Sequence, residues 1–541
     1  MNFLAVDNIH LYITIVLSLI NGVLMCFASY KYFQIIQLSG YKLKGYFNWL
    51  RETKWSYALR MVLLSLLSGF CVLVTNALFN VYHKQALYSY IGLIFYFYFT
   101  IVFIKALYNA PKKIPLKNTT RMTRLNIAMF IFVSLFSFVV IWGSFQYLSF
   151  VKFGALCFVP AFVVFIVPIV HIILLPLEKF IVFRYLRSAK RKLAKRPDLI
   201  KIGITGSYAK TSVKYILNTM LSQKYKVCMS PQSFNTQTGL CKVVNNYLTD
   251  LDQVLIAEMG ARSKGDIKRL CKLILPKYGM ITGISPQHLL TFKSLDNIKK
   301  TKFELVESLT SDGVCVFNGF DSEVRDMFSW AKLKEKYLVG DGGDIFAKDI
   351  IFDQDGTKFT LVLGKKEYNV STKLLGEHNV QNILLCVKMA KCLDLDDKQI
   401  VEGIEALRPV PHRLEIIKTP TNIILDDSFN ANIRGSKIAL DVLGKFPGRK
   451  VVITPGLVEL GEKEYEENYS FGKKIADVSD FVVIVNKVNF EAIKAGLDSQ
   501  HFDEQNIFQA ETLDQAKILM KDFLLPGDTI LFENDLPDNY I

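Results

Sequence analysis

The sequence predicts an α-helical membrane region followed by α/β domains. Two observations predict this fold class: apolar residues are concentrated in the first third of the chain, and from Leu199 onward short β-rich runs alternate with amphipathic stretches. Hydrophobic residues make up 51% of the 541 residues and charged residues only 21%. This composition excludes disordered and collagen-like proteins, and the length indicates two or three domains.

Five uncharged stretches in the first third are each close to the roughly 20 residues that a bilayer-spanning helix needs. The alternative for any single stretch is a buried helix of a soluble core, but five in succession favour a membrane region. The first stretch lacks the basic flank and the small-residue cleavage site of a signal peptide. The five stretches are His10–Tyr30, Met61–Asn80, Ala86–Ile104, Asn126–Phe150 and Phe153–Leu177.

The distribution of Lys and Arg predicts the orientation of these helices. The first and third connections are rich in basic residues, whereas the second and fourth offer little beyond Lys84 and Lys152. Under the positive-inside rule, the N-terminus lies outside and everything after the fifth helix lies in the cytoplasm. We therefore expect a multi-pass protein of the cell membrane. The nine cysteines form no CxxC pair, which argues against a zinc ribbon or a secreted disulfide scaffold.

A basic segment follows the fifth stretch, and we call it the basic collar. Its charge suits anionic lipid headgroups, so membrane lipids are expected partners. The alternative is a merely solvated basic helix. Nucleic acid is not expected as a partner, because no RNA- or DNA-binding motif follows. The collar consists of Lys179, Arg184, Arg187, Lys190, Arg191, Lys192, Lys195 and Arg196.

Beyond the collar, six apolar runs are predicted to be strands, each followed by a helical pattern. This alternation is typical of parallel α/β domains. A domain boundary is predicted near Pro409–Pro411, where a helical pattern ends and a new series of strands begins. The predicted strands are Ile200–Thr205, Val254–Glu258, Tyr278–Thr282, Ile423–Asp427, Lys450–Pro455 and Phe481–Asn486.

The most informative stretch is Ile202–Ser212, in which an apolar strand leads into a tight loop and then a helix. Such a loop directs backbone N–H groups and a helix N-terminus toward phosphates. Lys210 is then placed to reach the terminal phosphates, and the Thr211 hydroxyl is available to Mg²⁺. Ala209 stands where a glycine normally precedes the lysine. The alternative is a loop with a purely structural role.

These residues belong to an ordered set of motifs that resembles the Mur ligases, ATP-dependent amide ligases of peptidoglycan synthesis, and among them the MurF type. The resemblance runs from about Lys201 to Thr529. It implies ATP and Mg²⁺ as cofactors, with Gly206, Ser207, Ala209, Lys210, Thr211 and Ser212 contacting the nucleotide. The motifs are Gly206–Ser212 (GxxGKT[ST]), Ser233–Gly239 (asparagine-rich loop), Ile256–Ala261 (ELGA), Gly376–Asn382 (GxHNxxN), Asp426–Asn432 (DDSYNAN) and Leu457–Glu462 (LELGE).

The apolar stretches, the basic collar and the resemblance together predict a domain organisation. We expect a five-helix transmembrane region over residues 1–178 and a basic juxtamembrane linker over 179–198. A P-loop-type Mur ligase central domain is expected over 199–411, and a Rossmann-like C-terminal domain over 412–541.

Four further residues receive catalytic or metal-binding roles from the resemblance. Glu258, at the end of a strand, resembles the magnesium ligand of the family, and His288 its second-metal histidine. Lys302 resembles the lysine that is carbamylated in most of the family, and a carbamate can help to hold a metal ion. Arg413 resembles the arginine that meets the γ-phosphate. Asn379, Asn382 and Asp426 are carried over as nucleotide contacts.

Each of these roles has a structural alternative. A lone glutamate at a strand end is more often solvated or capping, and a lone histidine more often caps a helix or lies in a core. Lys302 stands beside Lys299 and Lys300, so a solvated basic helix face is its alternative.

Three departures from the family limit the substrate assignment. The membrane region and the basic collar leave no room for a UDP-sugar-binding domain before the ATP loop. Asn468 replaces the histidine that follows LELGE, and the KGSR-like terminal segment reads Leu531–Leu536 with Glu533 in it. The use of D-alanyl-D-alanine is therefore not established by the motifs.

The predicted function is ATP-dependent amide formation through an acyl phosphate at the membrane. Activating a carboxylate in this way gathers negative charge, which calls for metal ions and fixed cations. The expected acceptor is a carboxylate-bearing envelope precursor, soluble or lipid-linked, and the expected amine donor is an amino acid or dipeptide. The alternatives are a polymer ligase similar to the poly-γ-glutamate synthase ligase subunit and a nucleotide-binding scaffold without catalysis.

Overall fold

The computed structural model describes residues 3–82, 85–109, 116–147, 154–231, 234–286, 289–340, 342–429, 433–458 and 460–534. One compact unit extends to Val182, and a second begins at Phe183. The domain bounds expected from the sequence stay predictions.

The first unit is built from helices in its described residues. Long helices follow from its apolar sequence, since an uninterrupted apolar run satisfies its backbone hydrogen bonds within each helix. The helices are α1 (Phe3–Ala28), α2 (Tyr30–Leu38), α3 (Leu43–Glu52), α4 (Ser56–Tyr82), α5 (Gln85–Asn109), α6 (Thr120–Tyr147) and α7 (Val159–Ala194), with a 3₁₀ helix at Gly154–Phe158 before α7. The last part of α7 belongs to the second unit.

The described residues of the five predicted apolar stretches fall mainly on α1, α4, α5, α6 and α7. Residues 148–150 and 153 of these stretches lie outside the described residues. Within the described residues, four helical segments are long and apolar enough to cross a membrane. They are Leu11–Ala28, Ser56–Thr75, Thr120–Gly143 and Leu156–Ala194. In α5 the apolar segment found is shorter, Leu93–Lys105. The third predicted span therefore stays a prediction.

Several polar side chains inside the first unit are paired with one another. The Tyr96 hydroxyl donates to Oδ1 of Asn21 over 2.6 Å, and Asn21 Nδ2 donates to the Ser137 hydroxyl over 2.9 Å. Arg124 donates to both carboxylate oxygens of Glu178 at 2.6 and 2.8 Å. Such pairing is what an apolar surrounding requires of buried polar groups.

A six-stranded parallel sheet forms the first part of the second unit, in the order β2-β3-β1-β4-β5-β6. Apolar side chains cover both faces, as a parallel sheet with helices on either side requires. The predicted bounds of β1 and β3 are confirmed, and β4 ends one residue earlier than predicted. The strands are β1 (Ile200–Thr205), β2 (Val227–Met229), β3 (Val254–Glu258), β4 (Tyr278–Ile281), β5 (Val314–Asn318) and β6 (Glu335–Val339).

An antiparallel sheet of β7 (Ile345–Asp353), β8 (Gly356–Leu363) and β9 (Lys366–Thr372) follows. The sequence analysis expected parallel α/β structure and missed this sheet, because its strands have no helices between them. The helices of this part are α8 (Lys210–Leu221), α9 (Gln237–Lys242), α10 (Asp266–Ile274), α11 (Leu289–Phe292), α12 (Leu295–Glu307), α13 (Ser322–Trp330), α14 (Glu377–Cys392) and α15 (Asp397–Glu405), with a π-helix at Val243–Tyr247.

A second six-stranded sheet follows, in the order β10-β11-β15-β12-β13-β14. Only the pairing of β10 with β11 is antiparallel among these described strands. The strands are β10 (Glu415–Lys418), β11 (Ile423–Asp427), β12 (Lys450–Thr454), β13 (Phe481–Val485), β14 (Ile507–Ala510) and β15 (Thr529–Glu533). The helices are α16 (Ile433–Leu443), α17 (Glu464–Val478), α18 (Phe490–Asp498) and α19 (Leu513–Phe523), with 3₁₀ turns at Gly461–Lys463 and Glu504–Asn506.

The basic collar divides into two faces. One face packs on the second unit: Ala189 and Leu193 are buried there, Lys192 donates to Leu248 O, and Arg196 donates to Asp252 O over 2.6 Å. Lys192 and Arg196 are therefore committed to contacts within the protein, which corrects the expectation that the whole collar faces lipid. Residues 184, 187, 191 and 195 share the opposite helix face. They are exposed and form a basic stripe of Arg184, Arg187, Arg191 and Lys195.

Candidate nucleotide and metal site

The loop between β1 and α8 lies at the C-terminal edge of the parallel sheet, where open α/β sheets bind ligands. A Cβ atom on Gly206 would lie 2.1 Å from Oγ1 of Thr282, so the loop approaches β4 more closely than any side chain allows. Ala209 has φ 60°, in the left-handed region that favours glycine. The chain thus keeps the turn of a phosphate loop although alanine precedes the lysine.

Hydrogen bonds hold this loop against the end of β4. Ser207 N donates to Gly283 O over 2.6 Å, and the Thr282 hydroxyl donates to Tyr208 O over 2.5 Å. The Ser207 side chain is buried, and its hydroxyl has no hydrogen-bond partner among the described residues. An orphaned hydroxyl beside the N-terminal amides of α8 fits a loop that receives phosphate oxygens.

Lys210, the first residue of α8, folds back over the loop. Its Nζ donates to Gly206 O at 2.8 Å and to Ser207 O at 3.0 Å. Burial lowers the pKa of Lys210 to about 8, an effect that nearby Glu258 opposes and Arg413 reinforces. The amine is thus held among phosphate-loop groups.

Glu258, at the end of β3, is the centre of a buried polar cluster. Its Oε2 accepts from the Thr211 hydroxyl over 3.2 Å and lies 3.0 Å from Lys214 Nζ, while Oε1 accepts from Asn235 Nδ2 over 3.1 Å. Burial raises the pKa of Glu258, but Lys214 and Lys210 together with the Asn235 hydrogen bond outweigh it, so the pKa lies below its ordinary value. This contact brings together two of the expected metal ligands, Thr211 and Glu258.

Lys214 was missed by the sequence analysis. Its side chain is fully buried against Glu258. The available signal was its spacing, since a residue four positions after Lys210 lies on the same helix face.

Lys302, on α12, is buried, which contradicts the alternative of a solvated basic face. The solvated member of the trio is Lys300, whereas Lys299 is paired with Glu323 over 2.7 Å. Lys302 itself makes no hydrogen bond or ion pair in the described part of the chain. Burial, reinforced by Lys210, lowers the pKa of Lys302 to about 7. An amine that is neutral in a large fraction of molecules near pH 7 fits carbamylation.

The donor set suits Mg²⁺ in its chemistry, because Thr211 and Glu258 offer hard oxygen ligands. Among the described residues, His, Cys, Asp and Glu side chains form no group of three or more that would hold a metal ion by itself. A carbamate on Lys302 would add oxygen ligands. His288, the other expected ligand, lies outside the described residues.

The expected nucleotide contacts fall into two groups. Ser212, Asn379 and Arg413 line one cavity of about 230 Å³ beside α8. Asn382 is buried on α14 but does not line this cavity. Asp426 does not line it either, because its carboxylate accepts from the Ser428 hydroxyl at 2.6 Å and lies 2.7 Å from His412 Nδ1.

Arg413, just before β10 of the second sheet, lies near the phosphate loop of the first sheet, where its charge acts on Lys210. Its guanidinium lies 4.6 Å from the centre of the Phe429 ring, and its Nε has no hydrogen-bond partner among the described residues. Burial lowers its pKa, while the charges of Asp427, Glu258 and Glu533 raise it. The side chain is therefore a half-buried cation between the two sheets.

A second contact joins the same two parts. Arg434, on α16, donates from Nη1 to the Tyr208 hydroxyl over 2.6 Å and lies 3.3 Å from Asp321 Oδ2. Tyr208 also donates to Asp321. The phosphate loop is thus tied to a helix of the C-terminal part.

Comparison with known proteins agrees with this geometry. The family model described as Mur ligase middle domain matches residues 204–390, the range that holds the phosphate loop, Glu258 and Lys302. The chain contains a Mur ligase middle domain. A relative is the UDP-N-acetylmuramoyl-tripeptide–D-alanyl-D-alanine ligase of Bacillus subtilis (strain 168), 26% identical over 336 residues. The match covers 61% of this chain and 72% of the relative.

Solved Mur ligases share the fold. MurF from Acinetobacter baumannii aligns with a TM-score of 0.60 and 25% identity, over 65% of this chain and 77% of that chain. MurF ligase from Thermotoga maritima in complex with ADP aligns with a TM-score of 0.57 and 23% identity, over 65% and 80% of the two chains, and shows the fold alone. The predicted resemblance and the Mur ligase fold are confirmed. The predicted enzyme class is confirmed too, since the B. subtilis relative is named as a ligase.

Asn468, which departs from the Mur ligase pattern, has a structural role here. It is fully buried, accepts from Leu457 N at 2.8 Å, and donates to Leu457 O at 2.8 Å and to Glu464 O at 2.7 Å. These bonds use both the oxygen and the nitrogen of the side-chain amide, and they hold the LELGE-like loop in place. Glu459 of that loop lies outside the described residues, as do Asn430–Asn432 of the DDSYNAN-like motif.

Proposed function

We propose that this chain is a membrane-anchored, ATP-dependent amide ligase that activates a carboxylate as an acyl phosphate. The observation that supports it is the gathering of Lys210, Thr211, Glu258 and Arg413 at one sheet edge, with Lys302 close enough to Lys210 for their charges to interact. Fixed cations beside oxygen ligands are what phosphoryl transfer to a carboxylate needs.

In the first step, a carboxylate oxygen of the acceptor attacks the γ-phosphorus of ATP. The bond between the γ-phosphorus and the β-γ bridging oxygen breaks, and ADP leaves. Lys210 would leave its loop carbonyls to contact phosphoryl oxygens. Arg413 would meet the transferred phosphoryl group from the other side, with the fork of N–H donors that suits it. In the second step, an amine attacks the acyl carbon, inorganic phosphate leaves, and the ammonium proton is lost.

When bound, Mg²⁺ would neutralise phosphate charge in this site. Thr211, Glu258, a carbamate on Lys302 and His288 are the residues that would hold it. Lys214 would keep Glu258 ionised and oriented toward the ion, because the pair is buried together.

The conformation of Ala209 argues against a scaffold without catalysis. A loop that no longer bound phosphate would not require a left-handed residue before Lys210. Ala209 nevertheless adopts φ 60° there, at a steric cost. The lysine, the acid and the arginine are all in place as well.

The names of the relatives suggest the substrates. The B. subtilis relative is named for UDP-N-acetylmuramoyl-tripeptide and D-alanyl-D-alanine, which are a carboxylate-bearing precursor and a dipeptide. We extend this to acceptors that are lipid-linked, because apolar helices precede the module and the basic stripe continues them. A multi-pass arrangement with an outer N-terminus and a cytoplasmic module follows from the distribution of Lys and Arg.

The test is a reconstituted reaction. Full-length protein in lipid nanodiscs receives ATP, Mg²⁺, UDP-N-acetylmuramoyl-tripeptide or its lipid-linked form, and D-alanyl-D-alanine. We expect phosphate release that depends on both acceptor and donor, and a product whose mass is their sum less one water. Phosphate release that depends on neither the acceptor nor the donor would rule out the ligase function.

A further inference from the structure

Two carboxylates meet at the C-terminal edge of the second sheet. Asp427 ends β11 and Glu533 ends β15, and the two residues are direct partners in the parallel register. Side chains of paired residues on neighbouring strands leave the sheet on the same face. Glu533 is fully buried and Asp427 partly buried.

Glu533 lacks the partners that a buried carboxylate requires. Apart from the Asp427 carboxyl, neither of its oxygens has a hydrogen-bond partner among the described residues. Asp427 is only partly satisfied, through Leu414 N, which donates to its Oδ1 over 3.1 Å. Since buried acceptors are normally paired, two adjacent carboxylates with unused oxygens indicate a place for an incoming group of donors.

The charge of this cluster fits a single cation. Arg413 is the cation whose charge acts on both carboxyls, and its Nε is itself unpaired in the described structure. Two carboxylates and one guanidinium leave one negative charge uncompensated. Asp426, which also faces Asp427, is already engaged by His412 and Ser428.

The protonation of the pair agrees with a missing cation. Burial raises the pKa of Asp427 to about 6, and burial together with repulsion from Asp427 raises that of Glu533 well above its ordinary range. Without a further cation, the pair therefore shares a proton near neutral pH.

We propose that Asp427 and Glu533 bind the ammonium group of the amine donor in the ligation reaction. The inference rests on the proposed function. Arg413 acts electrostatically on Glu258 as well as on this pair, which puts the pair beside the phosphate-loop site. An ammonium group brings three N–H donors and one positive charge, matching both the open acceptors and the net charge.

The same pair accepts the proton that the donor must lose. A carboxylate takes one proton from the ammonium, and the freed nitrogen lone pair forms the C–N bond with the acyl carbon. The C–O bond to phosphate then breaks, and the second proton of the nitrogen leaves with the phosphate. Mg²⁺ suits the pair less, because it requires about six oxygen ligands in octahedral array, and the Arg413 charge lies next to it.

The experiment separates donor binding from carboxylate activation. Full-length protein in nanodiscs receives ATP, Mg²⁺ and UDP-N-acetylmuramoyl-tripeptide, with D-alanyl-D-alanine, ammonium chloride or hydroxylamine as donor. Hydroxylamine is uncharged near neutral pH and traps acyl phosphates as hydroxamates. We compare Glu533→Gln and Asp427→Asn with Asp528→Asn, a control that removes a buried carboxylate paired with Arg449 elsewhere in the same part of the chain.

We expect the KM for D-alanyl-D-alanine or ammonium to rise about tenfold or more in Glu533→Gln and Asp427→Asn. In the same two variants, the rate of hydroxamate formation is expected to stay within about twofold of the parent. The control Asp528→Asn is expected to keep the KM of the parent. An unchanged KM for the charged donors overturns the ammonium site. If the two variants instead need a higher Mg²⁺ concentration while the KM for the donor is unchanged, the ammonium site is overturned as well, and the pair is a metal site. If the parent protein forms neither amide nor hydroxamate, the ligase function itself fails.

Discussion

Lys214 Nζ lies 3.0 Å from Glu258 Oε2, and both side chains are buried. Removing one partner of such a pair leaves the other charge buried and uncompensated. We expect Lys214→Met to lower the free energy of unfolding of the second unit by roughly 3–5 kcal/mol, measured by chemical denaturation. Lys300→Met, which loses only an exposed pair with Asp296, is the control and is expected to change it by less than about 1 kcal/mol.

The same pair predicts a pH dependence. The pKa of Glu258 in the folded protein lies below its ordinary 4.5. Its ionised form therefore stabilises the fold at pH values above 4.5, and this contribution is lost as the pH falls through the lower folded-state pKa. A parent and a Lys214→Met protein that lose stability equally between pH 5 and pH 3 would contradict this linkage.

Lys210→Ala is expected to remove nearly all ATP turnover. The lysine compensates phosphate charge, and losing one such electrostatic contact costs on the order of a hundredfold or more in kcat. The fold is expected to persist, because in the described part of the chain the hydrogen bonds of Lys210 go to carbonyls of its own loop, Gly206 O and Ser207 O. Phosphate release and thermal unfolding are measured together, with Lys224→Ala, three residues after the end of α8, as control. Unchanged turnover would refute the catalytic role of the loop.

Ala209→Gly is expected to keep full activity. Glycine removes a steric cost of roughly 1–2 kcal/mol at the left-handed φ of 60°, but adds about 0.4–1 kcal/mol of unfolded-chain entropy. Stability should therefore stay equal or rise slightly in a melting experiment. Ala209→Val, whose branched side chain opposes positive φ, is the contrasting variant and should lose both stability and turnover; a tolerated valine would mean that the loop does not need this turn.

Lys302→Ala is expected to depress activity, with partial recovery on adding bicarbonate or small carboxylates. The pKa of about 7 for Lys302 means that the neutral amine, the form that reacts with CO₂, predominates above pH 7. Activity of the parent protein should thus rise with pH through this range when bicarbonate is limiting. Lys300→Ala, two positions away and solvent-exposed, should behave as the parent. Near-normal activity of Lys302→Ala would show that Lys302 has no role in metal binding.

The basic stripe predicts a preference for an acceptor at the membrane surface. Each basic residue near an anionic surface contributes about 1 kcal/mol, so changing Arg184, Arg187, Arg191 and Lys195 to Gln should raise the KM for a lipid-linked acceptor in anionic nanodiscs. The KM for the UDP-linked acceptor should not change. A matched variant changes four exposed lysines of the central part, Lys332, Lys334, Lys358 and Lys365, and should keep both values. Equal effects of the two quadruple variants would exclude a specific membrane role of the stripe.

Much of the fold could be predicted because its signals are local. β1, β3 and β11 begin and end at the predicted residues, since each is an apolar run closed by polar residues. The antiparallel sheet of β7–β9 escaped prediction, because those runs have mixed polarity and their pairing is set by contacts between strands. The division of the basic collar escaped it as well, since Lys192 and Arg196 look like their neighbours until a packing surface selects one helix face.

By itself, the sequence determined the apolar helices before a Mur ligase module, the strands β1, β3 and β11, and the loop that presents Lys210 and Thr211. These properties depend on residues close together in the chain, where periodicity and spacing are sufficient. Only the tertiary structure decided that Lys214 pairs with Glu258, that Asp426 turns to His412 while Asp427 meets Glu533, and that Arg413 reaches the phosphate loop. Those contacts join residues far apart in sequence, and their energies arise from burial and charge that exist only once the sheets have assembled.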